Sequence, residues 1–289
     1  MLLTIRHVTN YRYARPVALL PHRMMMRPRG QQDLRVVARE LVCTPPGAIE
    51  WTQDVFGNLV ATASFAGAAD ALSIVSTLTV EQSADPWPVF AIAPSAHSYP
   101  FAYSDEDLID LGALRTPRHA DPDGRLLAWA RGFIAGDPTD TLALLKDING
   151  WILPSVAYRT RDEEGTQSPL ETLDLASGSC RDIATLFIEA ARHLGFGARA
   201  VSGYLFDPDS DGQHGSTHAW AEVYLPCAGW IAFDPTHARV GAANLVAVSV
   251  ARDITQIMPI DGAYVGAAED FIEMSVDVAV MRAEGTTDS

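Results

Sequence analysis

The sequence predicts an α+β protein, with an antiparallel β-sandwich or barrel first and then a region where helices precede a run of strands. Three observations predict it. Residues 1 to about 83 break into short segments rich in Val, Ile, Thr and Tyr, separated by turn-forming clusters. Residues 84–100 carry prolines at 86, 88, 94 and 100, which removes backbone donors and favours an extended linker. Beyond that stretch, apolar residues recur first at helical intervals and then at every second position.

Taken in order, strands are expected over residues 3–13, 22–28, 34–44, 58–65 and 72–81, punctuated by Pro45-Pro46-Gly47, Phe56-Gly57-Asn58 and Ala66-Gly67. The linker divides the chain into a β-rich domain, residues 1–95, and a second domain, residues 96–289. In the second domain, helices are expected over residues 123–135 and 140–153, the latter capped by Asp140. Residues 158–172 read as a polar surface loop. Ser179-Cys180-Arg181-Asp182 then leads into Ile183, Leu186, Phe187, Ala190 and Leu194, a helical stripe ending at Gly195. Ser179 and Asp182 have capping-box spacing, which puts Cys180 in the first turn. Strands follow over residues 198–205, 218–225 and 230–234. Two more, 245–250 and 271–281, either close the second sheet or return to the first domain.

Composition narrows the function. Lys and Arg number 21 against 36 Asp and Glu, a net charge of −15, so neither nucleic acid nor an anionic membrane surface is an expected partner. Arg23, Arg27, Arg29 and Arg35 are interrupted by Met24, Met25 and Met26 and read as one strand's exposed face. Three cysteines, Cys43, Cys180 and Cys227, cannot form a complete disulfide framework and suit a reducing compartment. With no signal-peptide pattern at the start and no apolar run of about 18 residues, the expectation is a soluble cytoplasmic protein.

The chemistry centres on Cys180. A thiol is nucleophilic as its thiolate, and free N–H groups in a helix's first turn favour that anion. The same N–H groups can bind the oxyanion formed when a carbonyl is attacked. A base and an orienting acceptor are also needed, and His218 and Asp234 lie on consecutive strands. His218, Trp220, Glu222 and Tyr224 share one face of their strand, as do Trp230, Ala232 and Asp234 of the next. The two faces coincide only if paired residue numbers sum to an even number, as with Tyr224 opposite Trp230. A slip of one residue would separate His218 from Asp234.

Other candidates weigh less. Residues 207–212 imitate the start of an EF-hand loop, but its twelfth position is His218 where a bidentate Glu is required. His214 and His218 are four apart, yet the glycine and hydroxyl residues between them disfavour a helix, so no metal site is expected. Asp182 is better read as a helix-start residue than as the orienting carboxylate, and His218 is preferred to His237 as the base. Trp220 either shields the His–Asp contact or fills the core. Glu222 lines a substrate groove or is solvated.

Cys180 in GSCRDIATLFIEAARHLGFGARAVSGYL, His218 in STHAWAEVYLP and Asp234 in GWIAFDPTH resemble the three core motifs of the transglutaminase-like cysteine hydrolase superfamily. The opening TIRHVTNYRYARPVALLPHRMMMRPR and the later DVFGN resemble the β-domain that accompanies this core in a bacterial branch. The resemblance implies a papain-like core in which a helix-borne Cys packs against an antiparallel sheet carrying His and Asp. It also implies Cys180 as nucleophile, His218 as base and then acid, Asp234 as the group fixing the imidazole, an acyl-thioester intermediate, and, as in members with transglutaminase activity, an upstream aromatic side chain helping to hold the oxyanion, for which Trp151 and Tyr158 are the candidates that no motif decides between. Trp220, Glu222 and Tyr158 are the expected substrate contacts, a peptide or protein is the expected substrate, and no cofactor is expected. Two alternatives remain open at this point, an arylamine-type acyltransferase and a non-catalytic peptide-binding scaffold.

Overall fold

In the computed structural model, which describes residues 1–161, 165–207 and 215–283, the first 82 residues form β1 (Leu2–Leu19), β2 (His22–Arg27), β3 (Leu34–Thr44), β4 (Gly47–Gln53), β5 (Leu59–Phe65) and β6 (Ala68–Gln82). Two antiparallel sheets result, one ordered β3–β6–β1 and the other β4–β5–β2. Alternation drives their packing. Tyr13, Val17, Met24, Met26, Ala61, Ala63, Leu72 and Ile74 point inward and form the core between the sheets. β4 was not anticipated from the sequence, because most of its residues are exposed and no apolar alternation marks it.

The second region starts with α1 (Asp105–Leu111), α2 (Arg125–Arg131) and α3 (Thr141–Ser155). Asp140 caps α3 by accepting the N–H of Ala143 at 2.7 Å. A two-residue strand, β7 (Ala157–Tyr158), precedes α4 (Pro169–Leu175) and β8 (Ser177–Gly178). α4 begins inside the stretch read as loop, 158–172, and runs past its end. Its Ser168–Glu171 capping box, with Pro169 at the first helical position, outweighs the polar composition around it.

α5 (Cys180–His193) is the central helix, buried on nearly every face. β9 (Gly197–Leu205), β10 (Ser216–Leu225), β11 (Gly229–Asp234) and β12 (Leu245–Ala251) form an antiparallel sheet ordered β11–β10–β9–β12. Ile183, Leu186, Phe187 and Ala190 of α5 pack on Ala198, Ala200, Ala219, Ala221 and Val223 of that sheet, small residues that let the helix approach closely. The charged pair inside this core is satisfied. Glu189 binds Arg192 at 2.7 Å and accepts the N–H groups of Arg118 and His119, and Arg192 donates to the carbonyls of Ala198 and Arg252.

The last strand, β13 (Phe271–Arg282), returns to the first domain and pairs antiparallel with β1 from Leu3↔Arg282 to Tyr13↔Phe271. Each of the two open alternatives thus holds for one strand: β12 joins the second sheet and β13 the first. Leu3, Ile5, Leu78 and Val80 also pack against Tyr204, Phe206, Val246 and Val248 across the two regions. At about 1.5–3 kcal/mol for each fully buried aliphatic side chain, this contact is a substantial share of any domain's stability. Among the described residues no helix is long and apolar enough to cross a membrane.

Candidate active site

Cys180 is the first residue of α5, and Ser179 before it has extended backbone, φ −80° and ψ 172°. The N–H and Oγ of Ser179 both donate to Oδ2 of Asp182 at 2.8 Å. Arg161 donates to both carboxylate oxygens, at 2.8 and 2.9 Å, and the N–H of Gln167 donates to Oδ1 at 2.7 Å. Burial alone would raise the Asp182 carboxyl, but these donors hold it below its usual range. Gly178 lets the chain pass, since a Cβ there would lie 2.9 Å from Cβ of Asp182. Asp182 therefore fastens the segment that carries the thiol.

β7 runs parallel to β8 and sets Tyr158 opposite Gly178, two residues from Cys180. Its phenol is pushed up by burial and by the neighbouring Cys180. Trp151 instead packs edge-on against Trp129 at 5.5 Å. Of the two upstream aromatics, Tyr158 is the one the structure brings to the thiol.

The strand register has Tyr224 opposite Trp230 and Ala221 opposite Phe233, the even-sum pairing. His218 Nε2 lies 3.0 Å from Asp234 Oδ2, with both side chains almost fully buried. That contact is off the N–H direction and is a close charge contact rather than an aligned hydrogen bond. The same oxygen accepts an aligned bond from His237 Nδ1 at 2.8 Å, while Oδ1 accepts the N–H of Thr236 at 3.1 Å. Cys180 is close enough to the His218 ring to act on its charge. Burial would lower the His218 pKa, but Asp234 and Cys180 reverse that and hold it up at about 9. Asp234 is held well below the usual carboxylate range against its burial, by His218 and His237. The donor atoms of His218, Asp234 and His237 all lie within 4.8 Å of one another, a spacing their mutual contacts account for.

Trp220 stacks beside the imidazole, ring centroids 6.0 Å apart and planes 24° apart. Glu222 shares that face but is spent elsewhere. It is buried and paired with Arg199 at 2.7 Å, and the guanidinium lies 4.0 Å from the Trp230 ring centre. It is neither solvated nor free to take a cation. Residues 208–214 are outside the described residues, so the calcium-loop candidate beyond Asp207 and His214 lie outside them as well. The arginines of the basic stretch have separate contacts: Arg35 pairs with Glu81 and Arg29 donates to the Phe56 carbonyl. Sequence reasoning weighed His237 only as a rival base and missed that it shares the carboxylate. The DPTH spacing, three residues on across a turn, was the available signal.

A thiol at a helix mouth facing an antiparallel sheet that carries His and Asp is the arrangement of transglutaminase-like cysteine protease folds. Residues 127–235 match the family described as "Transglutaminase-like superfamily", and residues 3–81 match the "Bacterial transglutaminase-like N-terminal region". Together the two matches take in more than half of the chain, which belongs to the transglutaminase-like superfamily in its form with that N-terminal region. A crystallised protein from Cytophaga hutchinsonii, provisionally called a cysteine protease, superposes with TM-score 0.75 at 21% identity over 99% of this chain and 92% of its own. An uncharacterized Mycobacterium leprae protein, ML0607, is 33% identical over 116 residues, 38% of this chain and 40% of that protein.

Proposed function

We propose that the protein is a cysteine hydrolase or acyltransferase that cleaves or exchanges peptide or isopeptide amide bonds through an acyl-thioester on Cys180. The observation that carries this reading is the buried His218, set 3.0 Å from the Asp234 carboxylate on the neighbouring strand and beside the Cys180 thiol at the mouth of α5. With Nε2 turned to Asp234, Nδ1 is left to serve the sulfur. Sγ attacks the carbonyl carbon and the oxygen becomes an oxyanion, facing the Cys180 N–H at the start of α5. The C–N bond then breaks and His218 gives its proton to the departing amine. A thioester remains. Water or a second amine attacks it, its proton goes to His218, and the thiolate leaves. Tyr158, beside Cys180, contacts the acyl group in this reading.

The test uses an activated ester and an amide peptide, quenched in acid and followed by mass spectrometry. An acyl adduct should appear on the peptide containing Cys180 and be absent in Cys180→Ala, with turnover lost. Turnover that survives in Cys180→Ala would overturn the reading. Binding without any adduct would favour the scaffold alternative.

A further inference from the structure

We infer that Phe56, on a turn of the N-terminal β-domain anchored by Asp54 and Asn58, is a positioning residue of the catalytic site that fixes His218 through Trp220. The inference rests on the cysteine-hydrolase reading and deepens it by giving the first domain a part in the chemistry.

Trp220 lies parallel to the His218 ring and is almost fully buried. Its indole N–H has no acceptor among the described residues, so packing alone sets the ring's orientation. One wall of its slot is Gly203, which stands opposite His218 across β9 and β10. A Cβ at that position would lie 2.9 Å from Cη2 of Trp220. The rest of the slot is the apolar layer of Val201, Ala232, Leu245, Ala247 and Val250, and Phe56 of the other domain packs against it.

The turn that delivers Phe56 is tied from both sides. Oδ1 of Asp54 accepts the N–H groups of Phe56 and Asn58, each at 2.9 Å, and Arg29 donates to the Phe56 carbonyl at 2.8 Å. Asn58 is fully buried. Its amide binds Val250 in both directions, Nδ2 to the carbonyl at 2.7 Å and Val250 N–H to Oδ1 at 2.9 Å. Val250 pairs with Val201, and Val201 with Trp220. A buried amide bonded on both its edges fixes position and angle, which an apolar contact of similar area would not. Val55, at the tip of the same turn, is 95% exposed and takes no part.

The experiment reads the rate of Cys180 alkylation by iodoacetamide against pH in the full chain, for wild type, Phe56→Ala, Phe56→Leu and Val55→Ser, with circular dichroism confirming each fold. Phe56→Ala should slow alkylation about tenfold at neutral pH and leave the rate at pH 10 unchanged, because only the imidazolium-stabilised thiolate is lost. Phe56→Leu should recover most of that loss, and Val55→Ser should match wild type. If Phe56→Ala does not fold, Phe56→Leu carries the test, with a rate at neutral pH measurably below wild type. A folded Phe56→Ala with the wild-type profile overturns the inference, as does an equal fall at every pH. A wild-type Cys180 no faster than Cys227 overturns the hydrolase reading itself; a fast wild type with unchanged Phe56 variants overturns this inference alone.

Discussion

His218 and His237 reach the same oxygen of Asp234, at 3.0 and 2.8 Å. The aligned hydrogen bond goes to the half-exposed His237, while the buried His218 has a charge contact. Asp234 therefore acts on His218 chiefly through its negative charge in a buried setting, where such an interaction is weakly screened.

That charge sets an alkaline limit. His218 stays protonated up to about 9, and proton delivery to a leaving amine needs the imidazolium. Amide turnover should fall above about pH 9, and in Asp234→Asn the fall should begin at least one unit lower, about a tenfold loss per unit. The sign for stability follows from the raised folded value. The His218–Asp234 contribution is fully present below the unfolded histidine value of 6.5 and is lost as pH rises through about 9. Denaturant midpoints of wild type and Asp234→Asn should converge over that window.

Asp182 holds Arg161, Gln167 and Ser179 around a fully buried carboxylate. Asp182→Asn removes the charge and leaves donors facing donors. It should cost roughly 2–4 kcal/mol in urea unfolding. Cys180 alkylation should slow as well, since the segment before the helix loses its fastener.

Gly203→Ala would put a Cβ 2.1 Å from the Val246 carbonyl oxygen as well as against Trp220. Backbone is in the way, so no side-chain rotation relieves it. A loss of roughly 3 kcal/mol or more is expected, read as a lower melting temperature than that of Val55→Ser.

His7 on β1 is buried between Tyr204 of β9, at 3.0 Å, and Thr9, at 3.2 Å. Burial lowers its pKa to about 4. A histidine lowered from 6.5 stabilises the fold above the unfolded value, and that stability is lost as pH falls from 6.5 through about 4. The loss should approach roughly 3 kcal/mol. His7→Gln should remove most of this acid sensitivity when midpoints at pH 7 and pH 5 are compared.

What the sequence carried and what it did not follow one division. Local patterns were legible: the stripe from Ile183 to Leu194 with its cap at Ser179, and the alternation that demanded Tyr224 opposite Trp230. Strand period tells which residues share a face, but it is silent on what that face meets. Glu222 could be placed beside His218 in projection, yet Arg199 and Trp230 had to be seen to know it was occupied. The return of β13 to β1 and the packing of Phe56 on the apolar layer that includes Trp220 join residues far apart in the chain, and no local propensity encodes them. The fold class came through because it depends on the order of elements, while the packing around His218 and Trp220 depends on contacts between residues distant in sequence.

The most direct measurement of the central claim, a thiol activated by His218, is the pH dependence of Cys180 alkylation in wild type and His218→Ala, mapped by mass spectrometry beside the exposed Cys227. The account predicts that wild-type Cys180 reacts well ahead of Cys227 at neutral pH, and that His218→Ala slows it about tenfold for each unit of acidity while Cys227 is unaffected. A Cys180 rate that follows Cys227 at every pH, or that ignores the loss of His218, would contradict it.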